Sequence, residues 1–335
     1  MSGSPLSADP APLLASLRRM ELLGARETAE LVALEGGVSS DIYRALLPSG
    51  AVCVKRALAR LKVAADWQAP VARNRYEVAW MRVVAEAMPT AVPAILGEDP
   101  EGGAFAMAWL PPDRYPVWKA LLRDGTIDPD TAAAVGDALG RIHAATADQP
   151  QVAARFPTDE IFYAIRLEPY LVAAGRAHPD LAGQLASLVA TTQAHKRVLV
   201  HGDFSPKNML IGPAGPVFLD AECAWWGDPA FDVAFVLNHL LLKSVWRPAC
   251  RPSYLAAFLS IVSAYFEHVA WESPTALRAR VAALLPGLLL ARVDGKSPAE
   301  YIVDDADKAR IRSFSRSLLA APVADPALIA ERWFG

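Results

Sequence analysis

The sequence predicts an α+β fold in two lobes: an N-terminal antiparallel β-sheet lobe with one helix over residues 1–110, and a larger, mostly helical C-terminal lobe over 111–335. Three observations predict it. Short apolar runs separated by turn residues dominate the first third of the chain, helical periodicity dominates the remainder, and Pro111-Pro112 marks the passage between them.

Taken in order, Leu31-Val32-Ala33-Leu34 reads as a strand leading into Glu35-Gly36-Gly37-Val38-Ser39-Ser40-Asp41. Ile42 to Leu46 returns, Pro48-Ser49-Gly50 turns, and Ala51-Val52-Cys53-Val54-Lys55 forms a third strand. Gly36 and Gly37 would let backbone amides approach a phosphate, and Ser39 and Ser40 add hydroxyl donors; an ordinary hairpin loop is the competing reading. Lys55 is more informative, because a lysine ending an apolar strand needs a partner. Residues 73–87 read as a helix on which Glu77 shares a face with Trp80, Met81 and Val84. A carboxylate on that apolar stripe must be paired, so a Lys55–Glu77 ion pair is expected, against the blander reading of two surface charges. Phe105 to Trp109 reads as a further strand before the prolines.

Past the prolines, Asp128-Pro129 opens a helix carrying Val135, Leu139 and Ile142, with His143 as a structural histidine near its end. Further helices are expected near 159–174, 179–195, 229–243, 253–270, 275–291 and 305–320. Between them lies VLVHGDFSPKNMLIGPAGPVFLDAEC, residues 198–223, which carries the chemistry. Three short apolar runs and the Gly212-Pro213-Ala214-Gly215 turn predict strand–loop–strand–turn–strand, setting Asn208 beside Asp220. Asp203 stands five residues before Asn208, the spacing of the catalytic loop H-R-D-x-x-x-x-N with Gly202 in place of arginine. Phosphoryl transfer needs this inventory: Asp203 to accept a hydroxyl proton, and the oxygens of Asn208, Asp220 and Glu222 to hold Mg²⁺ on the phosphates of ATP. His201 fits a loop brace better than a base. Asp228 reads as a helix N-cap, and Asp232 either braces the HGD loop or answers the helix dipole.

Composition narrows the function classes. Of 335 residues 53% are hydrophobic, mean hydropathy is +0.21 and net charge is −3, so core material is ample and no basic footprint for nucleic acid exists. Three scattered cysteines, Cys53, Cys223 and Cys250, form no CxxC pair and suggest a reducing, cytoplasmic setting. No signal peptide or membrane span is expected; the apolar run from Val281 is cut by Pro286 and Gly287 and reads as buried helix. Acidic and basic residues balance from position 151 onward, which argues against a polycationic substrate.

HGDFSPKN and LDAECAWWGDPAFD resemble the catalytic-loop and metal motifs of the aminoglycoside phosphotransferase and small-molecule kinase superfamily, and the resemblance runs from about Leu31 to Leu242. It implies a bilobal protein-kinase-like fold. Within it, VKRALARLKVAADW with RNRYE, and Asp220-Ala221-Glu222, are similar to methylthioribose kinases. Asn208 stands where those have a serine-like residue, and the loop after HGD departs from theirs. The resemblance implies that the backbone at Met107 and Trp109 holds adenine, that Gly36 to Ser40 and Lys55 hold phosphates, and that the acceptor is a small-molecule hydroxyl, sugar or sugar-like. Arg292 and Lys296 are candidates to touch it, with solvated helix-end charges as the alternative. Antibiotic phosphorylation is an alternative with the same chemistry. A catalytically inactive nucleotide-binding scaffold is an alternative of another class, and a homodimer is left open.

Overall fold

The computed structural model describes residues 11–34, 40–57 and 73–335. The chain divides into two compact units between Pro112 and Asp113. No helix among the described residues is long and apolar enough to cross a membrane.

The first unit is built on a five-stranded sheet in the order β1-β2-β3-β5-β4, formed by β1 Glu30–Ala33, β2 Ser40–Leu47, β3 Gly50–Ala57, β4 Ile95–Asp99 and β5 Ala104–Ala108. Every neighbouring pair is antiparallel. Side chains alternate across a strand, so consecutive residues serve opposite faces. Val52 and Val54 of β3 join Tyr43, Ala45, Ala104 and Ala106 in one core. Lys55, next in line, is thereby turned to the other face, where α2 (Arg73–Ala87) packs on the sheet. The first core is covered by α1 (Ala11–Arg19) through Leu13 and Leu17. The sequence reading did not anticipate this second helix, whose nine residues carry too short an apolar pattern to separate from a loop.

The second unit is mostly helical, as expected. Asp128 caps α3 (Pro129–Thr146), accepting from Asp130 and Thr131 backbone N–H groups. The expected helices near 229–243, 253–270, 275–291 and 305–320 are Ala230–Trp246, Arg251–Phe266, Pro274–Asp294 and Asp305–Ala320. A last helix, Pro326–Phe334, was not foreseen. The helix Ala230–Trp246 is buried along almost its whole length, which explains why it is apolar all round. Two features matter for the site. The segment expected as one ordinary helix over 159–174 widens over Tyr163–Val172 into a π-helix, with Pro169 inside it supplying no N–H. And β6 (Val198–Val200) does not join the hairpin that follows it, pairing instead with β9 (Trp225–Gly227). The hairpin, β7 (Met209–Gly212) and β8 (Gly215–Phe218), stands as a separate two-stranded sheet.

Candidate active site

In the second unit the loop between β6 and β7 carries Asp203 and Asn208, and it is fixed almost entirely by hydrogen bonds to buried groups. Asp232, fully buried in the first turn of Ala230–Trp246, accepts the backbone N–H of His201 at 2.6 Å and of Gly202 at 2.9 Å. Of the two readings left open for Asp232, the loop brace is the observed one. His201 is the second brace. Its Nδ1 accepts the Asp203 N–H at 3.2 Å, so its Nε2 carries the proton and donates to the Leu219 carbonyl at 3.0 Å. Burial holds its pKa below the ordinary value, keeping it in this neutral tautomer.

Gly202 is required for a local reason. Its φ is +79°, and a Cβ there would stand 2.5 Å from the Cys223 carbonyl oxygen. An arginine in this position has no room, so the departure from H-R-D follows from how closely the 223 backbone approaches the loop. Gly202→Ala is expected to cost at least about 1–2 kcal/mol from the left-handed backbone alone, with the contact to Cys223 added. Thermal unfolding reads the loss, and an unchanged melting temperature would contradict this account of the glycine.

Asp203 is buried and ion-paired twice, to an Arg166 terminal nitrogen at 2.9 Å and to the Lys207 ammonium at 3.0 Å. Burial alone would raise its carboxyl; Arg166, then Lys207, outweigh it and hold the pKa well below the aspartate range. Lys207 is shifted up in return, chiefly by Asp203. Arg166 also donates through Nε to the Gly202 carbonyl, so one guanidinium sets both the loop backbone and its carboxylate. Neither cation was singled out from the sequence. Lys207 lay in view at the fourth position after Asp203; Arg166 lies in the widened helical segment, where nothing in its surroundings marks it.

Asn208 donates from Nδ2 to the Asp203 carbonyl at 3.0 Å, and its own carbonyl accepts the Leu219 N–H at 2.9 Å. Met209 pairs with Phe218, so Asn208 and Asp220 flank the same end of the hairpin, the juxtaposition the strand–turn–strand reading called for. Asp220 has φ +65°, an unusual backbone for a non-glycine residue and one that occurs at functional positions. Asp220 and Glu222 are half-buried. An amide oxygen and two carboxylates are hard donors of the kind Mg²⁺ takes, with too few ligands for an all-protein cage; nucleotide phosphates and water would complete the shell. Among the described residues no group of three or more His, Cys, Asp or Glu side chains is placed to hold a metal ion by itself.

In the first unit, Lys55 and Glu77 form the expected ion pair, 2.7 Å apart with both side chains almost wholly buried. Ser40 is the first residue of β2 and is buried, while Gly36, Gly37 and Ser39 lie outside the described residues. Met107 is in β5, and Trp109, just after it, has the Arg44 guanidinium 5.7 Å from its ring. Arg292 is a correction to the reading of solvated helix ends, while Lys296, exposed at the end of its helix, agrees with that reading. Arg292 is buried and donates to the Ser297 hydroxyl at 2.9 Å, whereas Lys296 pairs with Glu168 at 2.8 Å.

The model of the phosphotransferase enzyme family matches residues 30–274, most of the chain and the whole of the loop and hairpin just described. The chain belongs to this family. Methylthioribose kinase 1 of Oryza sativa subsp. japonica is 22% identical over 270 residues, 70% of this chain and 62% of the relative. The chain thus spans about three-fifths (62%) of the length of the curated relatives it matches. A choline/ethanolamine kinase family protein from Mesorhizobium loti superposes with a TM-score of 0.57 at 17% identity, covering 97% of both chains. An amicoumacin kinase solved with AMP-PNP, Ca²⁺ and Ami superposes with a TM-score of 0.54 at 13% identity over 92% of this chain and 93% of that one. At these identities the likeness is one of fold, and it is the protein-kinase-like α+β fold that the sequence predicts.

Proposed function

We propose that this phosphotransferase moves the γ-phosphoryl group of ATP to a hydroxyl of a small molecule, sugar or sugar-like. The observation that carries the reading is the Asp203 carboxylate, kept ionised by Arg166 and Lys207 and held beside the Asn208–Asp220 end of the hairpin. A fixed anion in a buried loop is an acceptor for a hydroxyl proton. Asp203 would orient the acceptor O–H and take its proton as the oxygen bonds to phosphorus and the bond to the β-phosphate oxygen breaks, releasing ADP. Asn208, Asp220 and Glu222 would hold Mg²⁺, which supplies charge neutralisation on the phosphates when bound. Lys207, beside Asp203, would face the transferred phosphoryl group, and Lys55, positioned by Glu77, the other phosphates. The catalytically inactive reading expects one of these groups to be lost, and all are present.

ADP release in the presence of ATP and Mg²⁺, screened over pentoses, hexosamines, thioribose analogues, choline and aminoglycosides, tests the proposal. Stimulation by a sugar-like hydroxyl compound is the expected result; stimulation by aminoglycosides alone would favour the antibiotic reading. Failure to bind nucleotide or to release ADP under any condition would overturn both.

A further inference from the structure

Beneath the aromatic layer that backs Arg166 and Asp203, the second unit buries two cations that the proposed chemistry does not use. Phe235 of Ala230–Trp246 lies under the Arg166 guanidinium, 5.9 Å from ring to cation, and packs against His239 at 5.2 Å and Tyr170 at 5.7 Å between ring centroids. Beyond this layer, the Arg292 guanidinium sits 6.0 Å from the Tyr170 ring. His239 is the junction: after burial, the fields that act on it are those of Arg292 and Lys243 and those of Asp203 and Lys207. Lys243 follows His239 by one turn of the same helix, so His239 feels both Lys243 and Asp203.

Lys243 is 1% exposed. Its ammonium lies 4.6 Å from the Tyr301 ring and 5.4 Å from the Trp246 ring, which stack on each other. Aromatic faces support a cation only partly. Glu300, the one carboxylate among the described residues whose field reaches Lys243, is taken by Lys119 at 2.5 Å. The remaining charges around it, Lys119 and Arg292, are of its own sign. Arg292 is 8% exposed and, although one nitrogen is held by Ser297, its Nε has no partner among the described residues. The Tyr301 hydroxyl is likewise buried without a partner. A fold does not gain by burying donors and positive charge without an acceptor. Lys243, the Arg292 Nε and the neutral Tyr301 hydroxyl are three donors with no acceptor among the described residues, an arrangement that suits an anion.

We infer that the acceptor carries an anionic group, a carboxylate or a phosphate, which Lys243, Arg292 and the Tyr301 hydroxyl receive while the acceptor's own hydroxyl meets Asp203. The inference rests on the phosphotransferase reading for the second half of that sentence and on the buried cations alone for the first. It makes the acceptor class hydroxy acids, sugar acids or sugar phosphates, and it disfavours choline and aminoglycosides, whose charge would meet Lys243 and Arg292. Burial first, then Lys119, bring the Lys243 pKa down to about 7, against the pull of Glu300. An anion bound beside it therefore completes its protonation, and binding weakens as pH rises past that value.

Isothermal titration of the full chain, with AMP-PNP and Mg²⁺ present, tests the site with D-gluconate and D-glycerate as carboxylates, ribose 5-phosphate as a phosphate, and ribose and choline as neutral and cationic counterparts. At least one anionic probe is expected to bind saturably and at least about tenfold more tightly than ribose or choline, and to lose about tenfold in Lys243→Met. Gluconate against ribose 5-phosphate decides which anion is meant. Thermal stability of Lys243→Met at neutral pH is expected to match or exceed the parent's, because an apolar side chain replaces a buried amine. The parent's stability should rise between pH 7 and the ordinary lysine range, where the unfolded chain holds a proton that folded Lys243 has released, and the variant should lack that rise. Tighter binding of ribose or choline, no binding of any anionic probe, or undiminished anion binding in Lys243→Met would each overturn the inference. ADP release separates the two proposals: anion binding without phosphoryl transfer sinks the function, while transfer to ribose or choline sinks the anion site.

Discussion

Replacing Asp203 with asparagine is expected to lower kcat by about 10²–10⁴-fold, the range for removing a positioned proton acceptor, while nucleotide affinity stays close to the parent's. Asparagine keeps the volume and one oxygen between Arg166 and Lys207 but cannot accept the hydroxyl proton. Both cations then lose their counter-charge, so a melting-temperature measurement must accompany the rate. A folded variant that binds nucleotide and turns over normally would remove Asp203 from the mechanism. The electrostatics add a condition on pH. Arg166 and Lys207 hold the folded pKa below that of an ordinary aspartate, against the effect of burial. The carboxylate's contribution to stability is thus present above the unfolded value near about 4 and is lost only as pH falls through the folded one. No acid limb in the pH–rate profile above the ordinary aspartate range is expected to belong to Asp203; any such limb belongs to another group.

Asp232→Ala is expected to be the most disruptive substitution away from the reacting atoms. It strips the acceptor from two buried N–H groups, His201 and Gly202, at about 1–3 kcal/mol each, so roughly 2–6 kcal/mol in all. The cost falls on the backbone that aims Asp203, and turnover should fall with stability. Amide hydrogen exchange at residues 201–202 reads the effect directly, since local opening need not unfold the rest of the unit. Asp232→Asn keeps one acceptor oxygen and should lie between parent and alanine. Unchanged protection of those two amides in Asp232→Ala would show that Asp232 is not the brace.

Much of this was legible in the chain because local signals and long-range ones agreed. The hairpin at 209–218 announced itself by apolar runs around Gly212-Pro213-Ala214-Gly215, and α2 by the periodicity of 73–87. The Lys55–Glu77 pair was readable because each residue is costly to bury alone, which makes them partners across 22 residues of sequence. Other features left no local trace. The partner of strand 198–200 is one: β9 pairs with it, since pairing depends on which strands the fold brings together. The widening at 163–172 is invisible to periodicity, which registers apolar spacing and not hydrogen-bond register.

The sequence by itself determined the two-part α+β architecture, the identity and spacing of Asp203, Asn208, Asp220 and Glu222, and with them the class of chemistry proposed. These are covalent facts: spacing along the chain and the donor atoms each side chain carries. Only the tertiary structure decided which groups govern Asp203, because Arg166 comes from a distant helix and acts through a 2.9 Å contact that no spacing rule encodes. Only it decided that Arg292 and Lys243 are buried rather than solvated. Charge is read from a sequence, but the cost of that charge depends on the dielectric around it, and the dielectric is set by whatever the fold packs alongside.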